Sequence, residues 1–194
     1  MSNLKTRIMS IDKKMVRFQL IITPEQINEQ LDLLAREINK YYRNDNPYFL
    51  IVADGGIPFA MDLLLRLGDM DMKFKYSCIK CSSYGDKTSG PPTVDFDPNV
   101  LPKDLKNSKV IILDDIADTM ETLNRIKTAV EDLGNDVETC VCINKLINRT
   151  EMWEPDYYCF CGAYDYWLVG YGLDFKGYCR TWNGIYIPEG STAD

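Results

Sequence analysis

The stretch that most constrains this chain is Val110 to Leu123, VIILDDIADTMETL. Val110, Ile111, Ile112 and Leu113 form an apolar run of strand length, continuous enough to be buried on both faces of a parallel sheet. Asp114 and Asp115 follow at once, then Asp118, Thr119, Met120, Glu121 and Thr122. From there Leu123, Ile126, Val130 and Leu133 recur at helical spacing, and Gly134 is a natural stop. The stretch therefore reads as strand, acidic turn, hydroxyl-lined loop and helix. In open parallel α/β sheets, ligands bind at the carboxyl ends of strands, and the amides opening the next helix suit an anion. Acids beside hydroxyls and free amides can hold a molecule that carries both hydroxyl groups and a phosphate.

The order of these residues resembles the phosphoribosyl-diphosphate (PRPP) loop of type I phosphoribosyltransferases, a hydrophobic strand followed by two acids, two further residues and D-[ST]-G-x-[ST]. Here it reads Asp114-Asp115-Ile116-Ala117-Asp118-Thr119-Met120-Glu121-Thr122. The alternative is a doubly wound domain with acids at a strand end, as in metal-dependent phosphatases or signalling receivers.

The length of 194 residues fits one domain with a full core, and 45% hydrophobic with 26% charged residues is ordinary for a globular chain. No apolar run approaches a membrane span, and the N-terminus lacks a signal-peptide core, so a cytoplasmic location with no membrane partner is expected. A net charge of −7 argues against nucleic acid as the main partner, because neutralising phosphates needs a basic surface. The chain contains no histidine, which removes histidine-based nucleophilic catalysis and histidine-ligated metals. Acid–base work falls to Asp, Glu, Lys, Tyr or Cys. Cys78-x-x-Cys81 looks like half a zinc site, but Cys78, Cys81, Cys140, Cys142, Cys159, Cys161 and Cys179 are an odd set in apolar, strand-like runs. Buried free thiols are the expectation.

Along the chain, Phe18 to Ile22 reads as an edge strand. Thr23-Pro24-Glu25-Gln26 gives an N-cap, a proline at the first helical position and a capping box. Ile27, Leu31, Leu34, Ile38 and Tyr41 then predict an amphipathic helix to about Tyr42. Tyr48 to Ala53 is a buried strand ending in Asp54-Gly55-Gly56, before a helix from about Pro58 to Leu67. A glycine pair there lets backbone amides approach a ligand. It resembles the family's pyrophosphate loop, although Asp54 stands where that loop often carries a base or an amide. Phe74 to Cys81 is a third strand. The polar stretch from Ser82 to Pro92, rich in Gly and Pro, is too long for a simple connector. It is similar to the mobile lid with a Ser-Tyr pair in 6-oxopurine phosphoribosyltransferases, here Ser83 and Tyr84. Val137 to Asn144 is a fourth strand ending in Lys145, where the family places its purine-reading lysine. An alignment without an insertion puts Asn148 or Arg149 there instead. After a short strand from Tyr157 to Gly162, the run Asp165 to Arg180, DYWLVGYGLDFKGYCR, is similar to the hypoxanthine-guanine enzymes' D-x-F-V-V-G-Y-G-[LI]-D-Y with a later arginine.

The resemblance implies an α/β fold: a single domain over 1–194 with a mostly parallel twisted sheet of about five strands flanked by helices, plus a small hood around Trp167. It leaves 1–15 as an N-terminal extension, 82–100 as a mobile lid loop and 189–194 as a frayed tail. It also implies transfer of the phosphoribosyl group of PRPP to hypoxanthine or guanine. Asp114 and Asp115 would hold the ribose hydroxyls and Asp118 would be the general base. Thr119, Met120, Glu121 and Thr122 would take the 5′-phosphate, while Asp54, Gly55, Gly56, Ser83, Tyr84 and Arg180 complete the PRPP site. Lys145, Trp167, Leu168 and Asp174 would read the purine. Mg²⁺ is the implied cofactor, with Asp174, Asp114 and Asp115 as candidate ligands, and a homodimer or homotetramer the implied assembly. Two other readings stay open: a transferase for xanthine, adenine or a pyrimidine, and a non-catalytic nucleotide-binding regulator. Met120 stands where the family has glycine: if the loop needs positive φ there, methionine is strained, and otherwise its side chain points out. Glu121 puts a negative charge beside the phosphate site, which is unhelpful unless it faces solvent.

Overall fold

A computed structural model describes residues 6–84, 93–95, 98–103, 105–147 and 153–190. Its centre is a five-stranded sheet in the order β4 (Lys75–Lys80), β3 (Tyr48–Ala53), β7 (Lys109–Ala117), β8 (Asp136–Lys145) and β9 (Tyr157–Gly162). Every neighbouring pair is parallel. The apolar runs read as buried strands occupy the middle of this sheet. Phe49, Leu50, Ile51, Val110, Ile111, Ile112 and Leu113 have almost no exposed surface. Burying side chains of this size stabilises the fold by about 1.5–3 kcal/mol each.

One face of the sheet is covered by α1 (Pro24–Tyr42) and α2 (Ile57–Asp69), the other by α3 (Glu121–Glu131). The start of α1 is the capping box expected from its sequence: Gln26 N donates to Thr23 Oγ1 at 3.3 Å, and Thr23 N donates to Gln26 Oε1 at 2.9 Å. Arg66 on α2 ties the two helices together, bonding Asp32 at 2.7 Å and Asn28 at 2.6 Å on α1. From β3 the sheet grows in both directions, to β4 on one side and to β7 on the other. The crevice at the carboxyl ends of β3 and β7 is therefore a topological switch point, where open α/β sheets bind ligands.

A second, three-stranded sheet contains β1 (Thr6–Ile11), β2 (Lys14–Ile22) and β10 (Ile185–Pro188). The run read as an edge strand from Phe18 is the second half of β2, which is the middle strand and pairs antiparallel with both neighbours. Its first half escaped notice because Lys14, Met15 and Arg17 are exposed, while Phe18, Leu20 and Ile22 point inward. Residues 6–15, read as an extension, thus form a hairpin. Phe18 meets Phe175 and Trp182 edge-on at 5.5 and 5.1 Å, which packs this sheet against the turns that follow Trp167.

The thiols are less uniformly buried than expected. Cys140, Cys142, Cys159 and Cys179 are buried, but Cys78 and Cys161 are exposed and Cys81 is intermediate. Cys78 and Cys161 lie on β4 and β9, the two edge strands, whose alternate positions are only partly covered. Of the lid span 82–100, β5 (Ser82–Tyr84) pairs with β6 (Thr93–Asp95). Most of the rest lies outside the described residues, as does most of the tail.

The capping box supplies a direct test of the fold. Thr23→Ala should cost about 1 kcal/mol, lowering Tm by about 2–4 °C for a chain of this size. Thr23→Ser should stay near wild type. Calorimetry showing no shift in the alanine variant would remove the cap from the account.

Candidate active site

A cleft of about 480 Å³ opens at the switch point. It is lined by the end of β3 and its loop (Val52 to Gly55), the end of β7 and the start of α3 (Asp114 to Leu123), and Trp167, Leu168, Leu173, Asp174 and Arg180. The three separated stretches singled out in the sequence thus converge on one cavity.

The acids do not sit in a turn after the strand, as expected. The ladder continues through Asp114↔Val141 and Ala117↔Asn144, so Asp114 and Asp115 are residues of β7 itself. Their side chains hydrogen-bond one another, and both line the cleft. Asp115 N donates to Asp114 Oδ1 at 2.9 Å. Burial pushes the Asp114 carboxyl well above the usual range, and the neighbouring Asp115 charge pushes it further. Burial also raises Asp115, opposed by its hydrogen bonding with Asp114 and by the Arg180 guanidinium. Two buried like charges prefer that one be neutral.

Asp118, Thr119 and Met120 then turn the chain into α3. Met120 is its N-cap with φ +72° and ψ −6°, the strained of the two alternatives. The loop needs the left-handed conformation that glycine usually supplies. Met120 adopts it at a cost of about 1–2 kcal/mol, offset by burial of its side chain beside Leu123, Val141 and Ala117. Glu121, the first residue of α3, lines the cleft, so its charge stands beside the candidate phosphate site.

Across the cleft, the Ala53–Asp54 peptide is cis and Gly55 lies under the acids. A Cβ at Gly55 would sit 2.1 Å from Asp115 Oδ2, and one at Gly56 would sit 2.7 Å from Val52 O. Both positions therefore exclude a side chain. The turn Gly170–Leu173 presses on the same loop, since a Cβ at Gly172 would stand 2.0 Å from Gly55 O. Arg180 is held in place by Gly172 O at 2.7 Å and by Asp174 Oδ1 at 2.8 Å. Asp174 Oδ2 accepts Gly177 N at 2.7 Å, and its carbonyl accepts Trp167 Nε1 at 2.8 Å. That bond leaves the Trp167 ring 54% exposed at the mouth of the cleft, available for stacking.

Lys145, at the end of β8, is 4% exposed, and its Nζ lies 3.2 Å from Asp118 Oδ2. The other oxygen, Asp118 Oδ1, is buried without a hydrogen-bond partner among the described residues. The ion pair places Lys145 at the cleft, whereas the competing Asn148 and Arg149 lie outside the described residues. The Ser83 and Tyr84 side chains lie outside them too. Among the described residues, no group of three or more His, Cys, Asp or Glu side chains converges as a metal cage. Sequence reasoning missed Val52, Ala53, Cys81, Ile116, Ala117, Leu123 and Leu173 as lining residues. They are apolar or thiol side chains that carry no chemical signal of their own, and no local pattern marks Cys81.

The phosphoribosyl transferase domain family model matches residues 23–176. The chain is 27% identical to the hypoxanthine-guanine phosphoribosyltransferase of Lactococcus lactis, over 88% of this chain and 92% of the relative. It is 27% identical to the hypoxanthine-guanine-xanthine phosphoribosyltransferase of Tritrichomonas foetus, over 84% and 86%. Among solved structures, the hypoxanthine phosphoribosyltransferase of Trypanosoma cruzi in a ternary substrates complex superposes with a TM-score of 0.76 at 25% identity, covering 88% of this chain and 95% of that one.

The acid pair and the strained loop each yield a stability prediction. A carboxyl raised in the fold contributes stability below its unfolded value, about 3.9, and that stability is lost as pH rises through the folded value. Asp114→Asn should therefore raise Tm at neutral pH, with the gain over wild type shrinking toward pH 4; a gain independent of pH would mean that charge is not its cause. Met120→Gly should relieve strain but forfeit a buried side chain worth about 2–5 kcal/mol, so Tm should fall. A rise in Tm would show that strain dominates.

Proposed function

We propose, for a chain that belongs to the phosphoribosyl transferase domain family, that it is a purine-salvage transferase joining the phosphoribosyl group of PRPP to hypoxanthine or guanine. The observation that carries this reading is the single cleft at the switch point. There the acid pair, the loop opening α3, the Gly55 loop, Trp167 and the Asp174–Arg180 pair all face one another.

In the reaction, a bond forms between a purine ring nitrogen and the ribose anomeric carbon. The bond from that carbon to pyrophosphate breaks, and the leaving group departs with the electron pair. The barrier falls if positive charge developing on the ribose is stabilised, the leaving pyrophosphate is neutralised and the purine loses its proton. Asp114 and Asp115 hold the ribose hydroxyls and place negative charge beside that carbon. Thr119 to Thr122 offer amides and hydroxyls to the 5′-phosphate at the start of α3. Gly55 and Gly56 bring backbone to the pyrophosphate, and Arg180 brings a positive charge. Asp118, whose carboxylate lines the cleft beside Lys145, accepts the purine proton. Lys145 then lies beside it as the donor to a 6-oxo group, and Trp167 stacks on the base.

Magnesium is part of this reading. The acids do not form an all-protein cage, but Mg²⁺ is commonly bound by one or two carboxylates plus substrate phosphates. Asp114, Asp115 and Asp174 are oxygen donors suited to that arrangement, and the ion would neutralise charge on the diphosphate. Self-association into a dimer or tetramer and a cytoplasmic location accompany the proposal. Among the described residues, no helix is long and apolar enough to cross a membrane.

Pyrophosphate release from PRPP and Mg²⁺ across hypoxanthine, guanine, xanthine, adenine and pyrimidine bases tests the reading. Turnover with the 6-oxopurines is expected; preference for another base would reassign the substrate, and binding without turnover would make the protein a regulator. Asp118→Asn should lower kcat by about 10²-fold or more, as removal of a general base does, with little change in PRPP KM. Unchanged turnover would take Asp118 out of the mechanism. Lys145→Ala should erase the preference for 6-oxo over 6-amino purines, because a buried donor facing an amino group is unpaired. A retained base ranking, changed instead by substitution at Asn148 or Arg149, would move the reader of the base to those residues.

A further inference from the structure

The turn that follows Leu168 is built almost entirely from left-handed backbone. Gly170 has φ +95°, Tyr171 +51° and Gly172 +101°. Positive φ is ordinary for the two glycines but a strained conformation for a tyrosine, and it persists only where the surroundings enforce it. The backbone of the turn is bonded within the hood, from Tyr171 N to Trp182 O at 2.7 Å and from Gly172 N to Arg180 O at 2.8 Å. The Tyr171 side chain runs the other way. Its ring is buried in the core shared with α2, and its hydroxyl donates to Asp62 Oδ2 at 2.7 Å.

Asp62 lies on α2, one to two turns beyond the Gly55–Gly56 loop that opens that helix. A turn further along, Arg66 donates to the Asp62 carbonyl at 2.9 Å and bonds Asp32 and Asn28 on α1. The residue that receives the tyrosine is thus part of a cross-braced helix pair. On the other side, Tyr171 is followed at once by Gly172, which presses on Gly55 and accepts Arg180, and then by Asp174.

We propose that the Tyr171–Asp62 hydrogen bond is a positioning device that sets the arm carrying Asp174 and Arg180 in register with the Gly55–Gly56 loop on the pyrophosphate side of the cleft. It joins two segments far apart in sequence at the point where both must meet one diphosphate, and its catalytic meaning rests on the transferase reading above. Tyr171 and Asp62 touch no substrate; they act through Gly172 and Arg180. On the base side Lys145 hangs on β8, clear of the arm, and Trp167 meets the arm only through its one bond to the Asp174 carbonyl, so the purine site feels the tether less than the pyrophosphate side does.

Two readouts test it. Amide exchange read by mass spectrometry reports the tether whether or not the protein turns over. Tyr171→Phe keeps the ring and removes the hydroxyl, and it should speed exchange across residues 169–180 by about fivefold while leaving α2 unchanged. In the pyrophosphate-release assay the same variant should raise the PRPP KM by about five- to tenfold, with the purine KM within about twofold of wild type. Asp62→Ala should reproduce both effects, Asp62→Asn should restore both because its amide oxygen still accepts the hydroxyl, and Tyr171→Phe with Asp62→Ala should be no worse than either alone. Unchanged exchange in Tyr171→Phe, additive effects in the double variant, or an equal rise in both KM values would overturn the proposal. If the wild-type protein releases no pyrophosphate with any base, the transferase reading fails, and the exchange pattern by itself decides whether the bond holds the arm.

Discussion

Two adjacent carboxylates on a buried strand are an expense that few folds tolerate, and the site is arranged around them. Asp114 and Asp115 stand at the carboxyl end of β7, the middle strand of the parallel sheet, where burial and mutual repulsion oppose ionisation. What makes the placement tolerable is local. A hydrogen bond links the two carboxyls, a backbone amide serves Asp114, and the Arg180 guanidinium lies close enough to ease Asp115. Gly55 must be a glycine because Asp115 occupies the space of its Cβ, and Gly172 must be one because the Gly55 carbonyl occupies the space of its own. Close approach to Asp115 and to the Gly55 carbonyl thus favours glycine in two distant loops.

The same end of the sheet shows how strain and packing are exchanged. Met120 holds a left-handed conformation at the entry to α3, where a glycine would be unstrained, and its side chain reaches into the core beneath the loop. An amphipathic helix whose first residues are pinned by a buried methionine presents its amides to the cleft in a fixed direction, which is the condition for binding an anion without reordering the loop. The hood solves a related problem, since the turns around Tyr171 have little regular ladder of their own and gain order from the hairpin packed behind them.

The chain's own pattern determined a good deal. The strands Tyr48–Ala53 and Tyr157–Gly162 and the helix Pro24–Tyr42 were legible to their ends, because buried parallel strands are short continuous apolar runs and because a capping box with a following proline marks a helix start. The acids, the loop residues, the glycine pair, Trp167, Asp174 and Arg180 were legible as candidates, because their residue types and local order carry the chemistry. The segments that do not announce themselves are those whose structure is made by partners. The first half of β2 is polar on one face and becomes a strand only between β1 and β10, and the exposure of Cys78 and Cys161 follows from edge positions that no local pattern reveals. That the acids belong to the strand, that Lys145 reaches Asp118 and that Tyr171 reaches Asp62 were decided by tertiary structure alone. Each is a contact or pairing between residues distant in sequence, set by sheet register and helix docking, whereas periodicity and caps report only on interactions within a few residues along the chain.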